Sequence, residues 1–247
     1  MSEAQERIEA LGFAPEQAQI LAAHFEDAER QGRTGHGLTR IDWLATLPDL
    51  DPRARPRRTL QEPAYERWDG AGALGYLVLE AIVTAQLADP PERSRLVVAS
   101  RCFPTGHLGY WTRRLAEAGL VAVLTATSPP RLPHPDGGEP LIGTIPLSIA
   151  IPSSDGPPIV SDVSMAKATY GDVLAGRATA DDLVAFGGPQ AHKAFALGLG
   201  LQLLVEALAG TDGYAATLLV ARPEADPVPA LRERAGRHRL PGDRGAP

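Results

Sequence analysis

The sequence predicts an α/β protein in which helices are layered over a sheet behind a helical N-terminus. Three observations carry that class. Apolar residues recur at helical spacing through Pro15–Gly32. From Arg95 onward, β-like apolar runs alternate with helical ones. A chain of 247 residues, 44% of them hydrophobic, also has enough apolar surface for a sizeable core.

The elements follow in order. Ser2, with Gln5 three positions on, reads as a capping box opening a short helix that ends near Gly12. Pro15 opens a second helix with Ile20, Leu21, His24 and Phe25 on one face, stopped at Gly32. "TRIDWLATL" predicts a further short helix, and the Pro/Arg-rich "DPRARPRRTLQEP" a solvated connector. Residues 1–60 are therefore expected to form an N-terminal helical segment, and 61–247 one compact α/β unit with a tail-like end. Gly72–Ala88 predicts a helix, and "RLVVAS" and "LVAVLTAT" predict strands on either side of the helix "GYWTRRLAEAG". "PLSIAIP" and "PPIVSDVS" read as short strands. The most apolar stretch, Ala194–Gly210, contains Gln202 and Glu206 and is predicted as a buried helix rather than a membrane span. The strand "YAATLLVA" precedes a basic tail.

Composition excludes several function classes. A net charge of −6 and a pI near 5.5 argue against nucleic acid or an anionic membrane as partner. The single Cys102 excludes an internal disulfide and suits a reducing cytoplasm, and no signal-peptide pattern is visible at the N-terminus. The six histidines are scattered, without HExxH or CxxC, so no metal site is expected.

Two glycine-rich motifs invite opposite treatment. "GAGALG", Gly70–Gly75, matches a dinucleotide-binding fingerprint, but "PAYERWD" before it is polar and no strand is expected there. Its glycines are expected instead to let the next helix approach other backbone closely. "TGHGLTR", Thr34–Arg40, sets His36 between two glycines with Arg40 four residues on. By itself it reads as a helix-ending turn, since glycine supplies positive φ there. It also holds two parts a reductase needs: an imidazole to donate a proton and a guanidinium to clamp a carboxylate. Further along, Thr144 lies in a turn, Asp162 near a strand end, and Asp172 just after Gly171. His192 and Lys193 open a helix, where free N–H groups suit phosphate. Taken singly, a cap, a turn hydroxyl and a solvated lysine explain these residues as well.

Taken together, the motifs resemble the type 2 malate/L-lactate dehydrogenase family. "GHGLTR" is similar to its SHGxxR, "DGAGALG" to its helix start, and "TATSPPRLPHPDGGEPLIGTIP" to its TNSP…GTNP segment. "DVSMAKATYG", "GGPQAHKAFALGLGLQLLVEALAG" and "PGDRG" follow in the family's order. The resemblance implies a three-layer α/β/α fold with a mixed, non-Rossmann sheet, assembled as a homodimer. It implies that His36, paired with Asp172, is catalytic, and that Arg40 and Thr144 hold the substrate carboxylate. Ser128, Asp162, Val163, Ser164, Gly171, His192, Lys193, Gly242, Asp243 and Arg244 fall where the family grips NADPH or NADH, NADPH being favoured. Gly35 replaces the family's serine, Cys102 its second histidine and Ile145 its asparagine, and the chain is shorter after Asp172. The proton donor could therefore be His36, His107 or a water, and Cys102 a site residue or an apolar filler. The expected activity is hydride transfer to the C=N or C=O of a small 2-imino or 2-oxo acid, imine favoured, in a specialised biosynthetic pathway. The alternative is a repurposed, non-redox member acting on an imine or enamine.

Overall fold

The computed structural model describes residues 1–243. Three helices open the chain: α1 (Glu3–Glu9), α2 (Pro15–Arg30) and, after a single 3₁₀ turn at Thr34–His36, α3 (Thr39–Leu44). Then come β1 (Arg57–Glu62), β2 (Tyr65–Asp69), α4 (Gly75–Ala88), β3 (Ser94–Ser100), α5 (Leu108–Glu117) and β4 (Val121–Ala126). A hairpin of β5 (Leu132–His134) and β6 (Gly137–Ile142) leads to β7 (Pro146–Ile151) and β8 (Ile159–Ser164). The chain continues through α6 (Tyr170–Leu174), α7 (Ala191–Ala209), β9 (Ala216–Ala221) and α8 (Val228–Ala235).

Seven strands form one mixed sheet in the order β1-β2-β3-β9-β4-β7-β8. Only β2 and β3 run parallel; the other pairs are antiparallel. Alternate residues of the central strands, Val97, Ala99, Leu218, Val220, Ala122 and Leu124, face α4 and α5. The same core takes in Ile8, Leu21, Phe25 and Leu44, so the N-terminal helices share it rather than forming one of their own. α7 packs on the other side, against β3, β9 and β4, giving three layers.

Three expectations are corrected. The "connector" forms the edge strand β1, and the polar "YERWD" forms β2, which the sequence reading missed. In β2 the inward positions are Glu66 and Trp68 instead of two apolar residues, so no hydrophobic alternation marks the strand. Glu66 is tolerated there because Trp68 Nε1 (2.9 Å), Gln86 Nε2 (3.0 Å) and Arg95 (3.3 Å) surround its carboxylate. α7 is not buried: only Ala194, Phe195, Gly198 and Val205 are enclosed, while Leu197, Leu203 and Leu204 stand about half-exposed. It is long and apolar enough to cross a membrane by length and composition, but one face is spent on the sheet.

A strand thus precedes "GAGALG" after all, and β2-α4-β3 is a parallel βαβ unit. The glycines do different work from a dinucleotide loop, however. A side chain on Gly70 would overlap the Arg101 carbonyl, and one on Gly75 would sit 2.7 Å from the Pro104 carbonyl oxygen. None of residues 70–75 borders the cavity lined by His36 and Arg40; in this segment Tyr76 is the first residue that does.

Candidate active site

The loop before α5, the loop after β4, the end of β8, the 3₁₀ turn and α6 border a cavity of about 310 Å³. The turn's geometry explains its glycines. Positive φ falls on Gly32 (+70°), whereas Gly37 has φ −90°. A side chain on Gly37 would overlap the Glu29 carboxylate, which accepts from the Leu38 amide at 2.9 Å. Gly35 is pressed against α6: a Cβ on Gly171 would overlap the Gly35 carbonyl and lie 2.8 Å from Arg40 Nη2. Gly35 and Gly37 are therefore small because Glu29 and α6 occupy the space, not because the chain needs positive φ.

His36 and Arg40 both reach the cavity. Arg40 is buried, at 7% exposure; its Nε donates to the Gly35 carbonyl at 2.8 Å and its guanidinium lies 4.8 Å over Trp43. No carboxylate comes within 4 Å of it among the described residues, and burial lowers its pKa. A buried cation without a counter-ion, bordering a cavity, is an anion site in waiting. His36 Nδ1 has no hydrogen-bond partner. Burial, then the charges of Arg40 and Arg33, push His36 down to about 3, with Asp172 pulling the other way. It is a neutral imidazole at pH 7.

Asp172 also lines the cavity, but no hydrogen bond joins it to His36. Its carboxylate closes the α6 capping box with Thr169 and takes Arg177 at 2.8 Å. Burial alone would raise its pKa; the bonds from Thr169 and Arg177 outweigh burial and hold it low. His107, at the N-cap of α5, faces His36 with ring centroids 6.1 Å apart and His24 at 4.6 Å. Neither His107 ring nitrogen has a hydrogen-bond partner; Asp27 lies 3.8 Å and Asp162 3.9 Å away. Burial and the neighbouring histidines lower its pKa.

Ser128, Thr144, Asp162, Val163 and Ser164 line the same cavity. Ser128 Oγ accepts from the Thr144 amide at 3.3 Å, and Ser164 Oγ donates to the Thr144 carbonyl at 3.1 Å. Asp162 pairs with Arg33 at 2.6 Å; burial raises its pKa against Arg33. Gly171 stands just behind the wall.

Other expected site residues lie elsewhere. Cys102 is fully buried, 3.8 Å from the Gly75 carbonyl, and burial pushes its thiol up, so it is a core filler outside the cavity. His192 and Lys193 are exposed at the start of α7 and do not border the cavity. Gly242 packs on the Pro158 carbonyl, and Asp243 is taken by Arg232 at 3.0 Å, both away from it. Arg244 lies outside the described residues. Sequence reasoning missed Arg33, Tyr76, Arg131, Tyr170 and Arg177 on the cavity wall. Tyr76 looked like core in an apolar helix, and burial does push it up to about 12. Among the described residues no group of three His, Cys, Asp or Glu side chains could hold a metal.

A neutral imidazole and a guanidinium with no carboxylate partner among the described residues thus share one cavity. Residues 2–183 match the malate/L-lactate dehydrogenase family, and the chain belongs to that family of oxidoreductases. It is 30% identical over 234 residues to the (2R)-3-sulfolactate dehydrogenase (NADP(+)) of Chromohalobacter salexigens, covering 83% of this chain and 68% of that one. It is 29% identical over 224 residues to a Δ1-pyrroline-2-carboxylate/Δ1-piperideine-2-carboxylate reductase of Pseudomonas putida, covering 78% of this chain and 64% of that one. The fold matches the crystal structure of Δ1-piperideine-2-carboxylate reductase from Pseudomonas syringae pvar. tomato with a TM-score of 0.83. That match has 22% identity and covers 97% of this chain and 88% of the other.

Proposed function

We propose that the protein is an NADPH-dependent reductase of a small 2-imino or 2-oxo carboxylic acid, with the imine favoured. The observation that carries this is Arg40, a buried guanidinium with no counter-ion among the described residues, in one cavity with His36, whose Nδ1 is unpartnered. NADPH is favoured over NADH because the sulfolactate dehydrogenase relative is an NADP(+) enzyme by name. We assign the nucleotide to the part of the wall formed by Ser128, Asp162, Val163 and Ser164, which provide hydroxyls, a carboxylate and an apolar contact. When bound, NADPH supplies the hydride.

Arg40 and the Thr144 hydroxyl hold the substrate carboxylate, Arg40 as the planar fork that matches it. His36 decides the preference for imine. A neutral imidazole at pH 7 has a lone pair to accept the N–H of a protonated imine, which already carries its proton. A ketone would need His36 to gain one first. A carboxylate on Arg40 offsets one of the charges that lower His36, so binding itself raises its proton affinity. Asp172 acts through its charge, and His107, whose ring faces His36 across 6.1 Å, is the second candidate for the proton donor.

Oxidation of NADPH in the presence of cyclic 2-imino acids or 2-oxo acids tests the reading. Turnover is expected, faster with the imine; no turnover with either class overturns it. Gly35 in place of serine favours a second, non-redox reading, which absence of NADPH binding would support. The cytoplasm and a biosynthetic route suit a chain with one buried thiol and an imine substrate. A second copy of this chain covers the half-exposed leucines of α7, making a homodimer. Sedimentation at two protein concentrations decides that point, a monomer at both refuting it.

A further inference from the structure

We infer that the cavity grips its substrate at two anionic ends: Arg40 takes the carboxylate next to the reducible carbon, and Arg131 takes a second anionic group. The substrate class is then a dianionic 2-imino or 2-oxo acid. This deepens the reductase reading and rests on it for the chemistry, though not for the binding.

Four arginines border the cavity, and two are neutralised: Arg33 by Asp162 at 2.6 Å and Arg177 by Asp172 at 2.8 Å. Arg40 and Arg131 are not. Among the described residues the Arg131 side chain has no ion pair and no hydrogen bond; only its backbone amide is engaged, donating to the Ile142 carbonyl at 2.7 Å. Its guanidinium instead lies flat, 3.4 Å from the centroid of the Tyr170 ring. That stacking covers one face, fixes the plane and leaves the N–H edge for a planar oxyanion.

The two unpaired cations are close. Tyr170, under Arg131, is followed by Gly171, where a Cβ would stand 2.8 Å from Arg40 Nη2. Two guanidiniums thus flank two consecutive residues of one short helix and border one cavity of about 310 Å³. The charge of Arg131 disfavours that of Arg40. In a chain of net charge −6 this local excess is placed against the general trend. A nucleotide phosphate is a poorer occupant, because a ribose separates it from the nicotinamide ring. A cation this close to the carboxylate clamp faces the small substrate.

The test measures binding of succinate and propionate to wild type and to Arg131→Gln by titration calorimetry. Succinate is expected to bind wild type about tenfold or more tighter than propionate. Arg131→Gln should remove that preference and leave propionate affinity unchanged, which also shows the variant is folded. Equal affinities in wild type, or a preference that survives in Arg131→Gln, would overturn the inference. So would a variant that loses NADPH affinity alone, which would assign Arg131 to a phosphate. NADPH oxidation with a cyclic imino monocarboxylate and its dicarboxylate counterpart separates the two readings. If binding discriminates but nothing is reduced, the reductase reading falls and the two-anion site stands. If both are reduced equally well with and without Arg131, the site falls and the reductase stands.

Discussion

Replacing Arg40 by Met removes the guanidinium and keeps much of the apolar stem that packs on Trp43. At about 3 Å and an effective dielectric near 20, a carboxylate on Arg40 gains roughly 5 kcal/mol before desolvation is subtracted. Truncating one partner of a buried, hydrogen-bonded charge pair typically costs about 2–5 kcal/mol. At ~1.4 kcal/mol per tenfold, kcat/KM should fall between roughly 30-fold and several thousand-fold. The clamp acts before and during hydride transfer, so most of the loss should appear in KM. Stability should change little, by about 1 kcal/mol or less. The variant loses the hydrogen bond to Gly35 and the stacking on Trp43, but it also sheds a buried charge that lacks a counter-ion. Steady-state oxidation of NADPH and thermal melting report the two quantities separately. A change in kcat/KM below about threefold, far less than a lost charge pair costs, would refute the role given to Arg40.

Acidification should destabilise the protein through its buried histidines. His36 is lowered from 6.5 to about 3, and His24 and His107 are lowered as well. Between about pH 3 and 6.5 the unfolded chain binds protons that the folded chain refuses, so stability falls as pH drops through that window. Melting temperatures across it should decline less steeply for His36→Gln than for wild type; identical slopes would count against the shift. Glu66→Leu should cost about 3–5 kcal/mol in urea unfolding, because Arg95, 5% exposed, and Arg58 lose their buried anion. Gly171→Ala should cost about 1–3 kcal/mol and raise KM, since its methyl would overlap the Gly35 carbonyl and displace α6 from Arg40. A variant with wild-type stability and KM would show that α6 does not brace the clamp.

Much of the architecture was legible wherever one face of an element is apolar. α2, α4, α5, β3, β4, β7, β8 and β9 all lie where the spacing of hydrophobic residues puts them. β1 was missed because all six of its residues are exposed, and β2 because Glu66 points inward, which only the tertiary partners Arg95 and Gln86 make bearable. α7 was read as buried because it is apolar nearly all round, a property that does not say what covers it. At the site, His36, Arg40, Thr144 and Asp172 could be picked out by motif, and all border the cavity. Arg33, Arg131 and Arg177 carry no local pattern. Their meaning lies in which carboxylate each one meets or lacks, and that is set by contacts as distant as Arg33 with Asp162. Lys193 shows the converse, a motif residue that the fold leaves outside the cavity.

A crystal structure with NADP⁺ and picolinate, a planar cyclic 2-carboxylate that cannot be reduced, tests most directly whether this cavity is the site of hydride transfer. The carboxylate should lie within hydrogen-bond distance of the Arg40 guanidinium, with the ring between His36 and the nicotinamide. Picolinate bound elsewhere, or a nicotinamide ring placed away from His36, would contradict it.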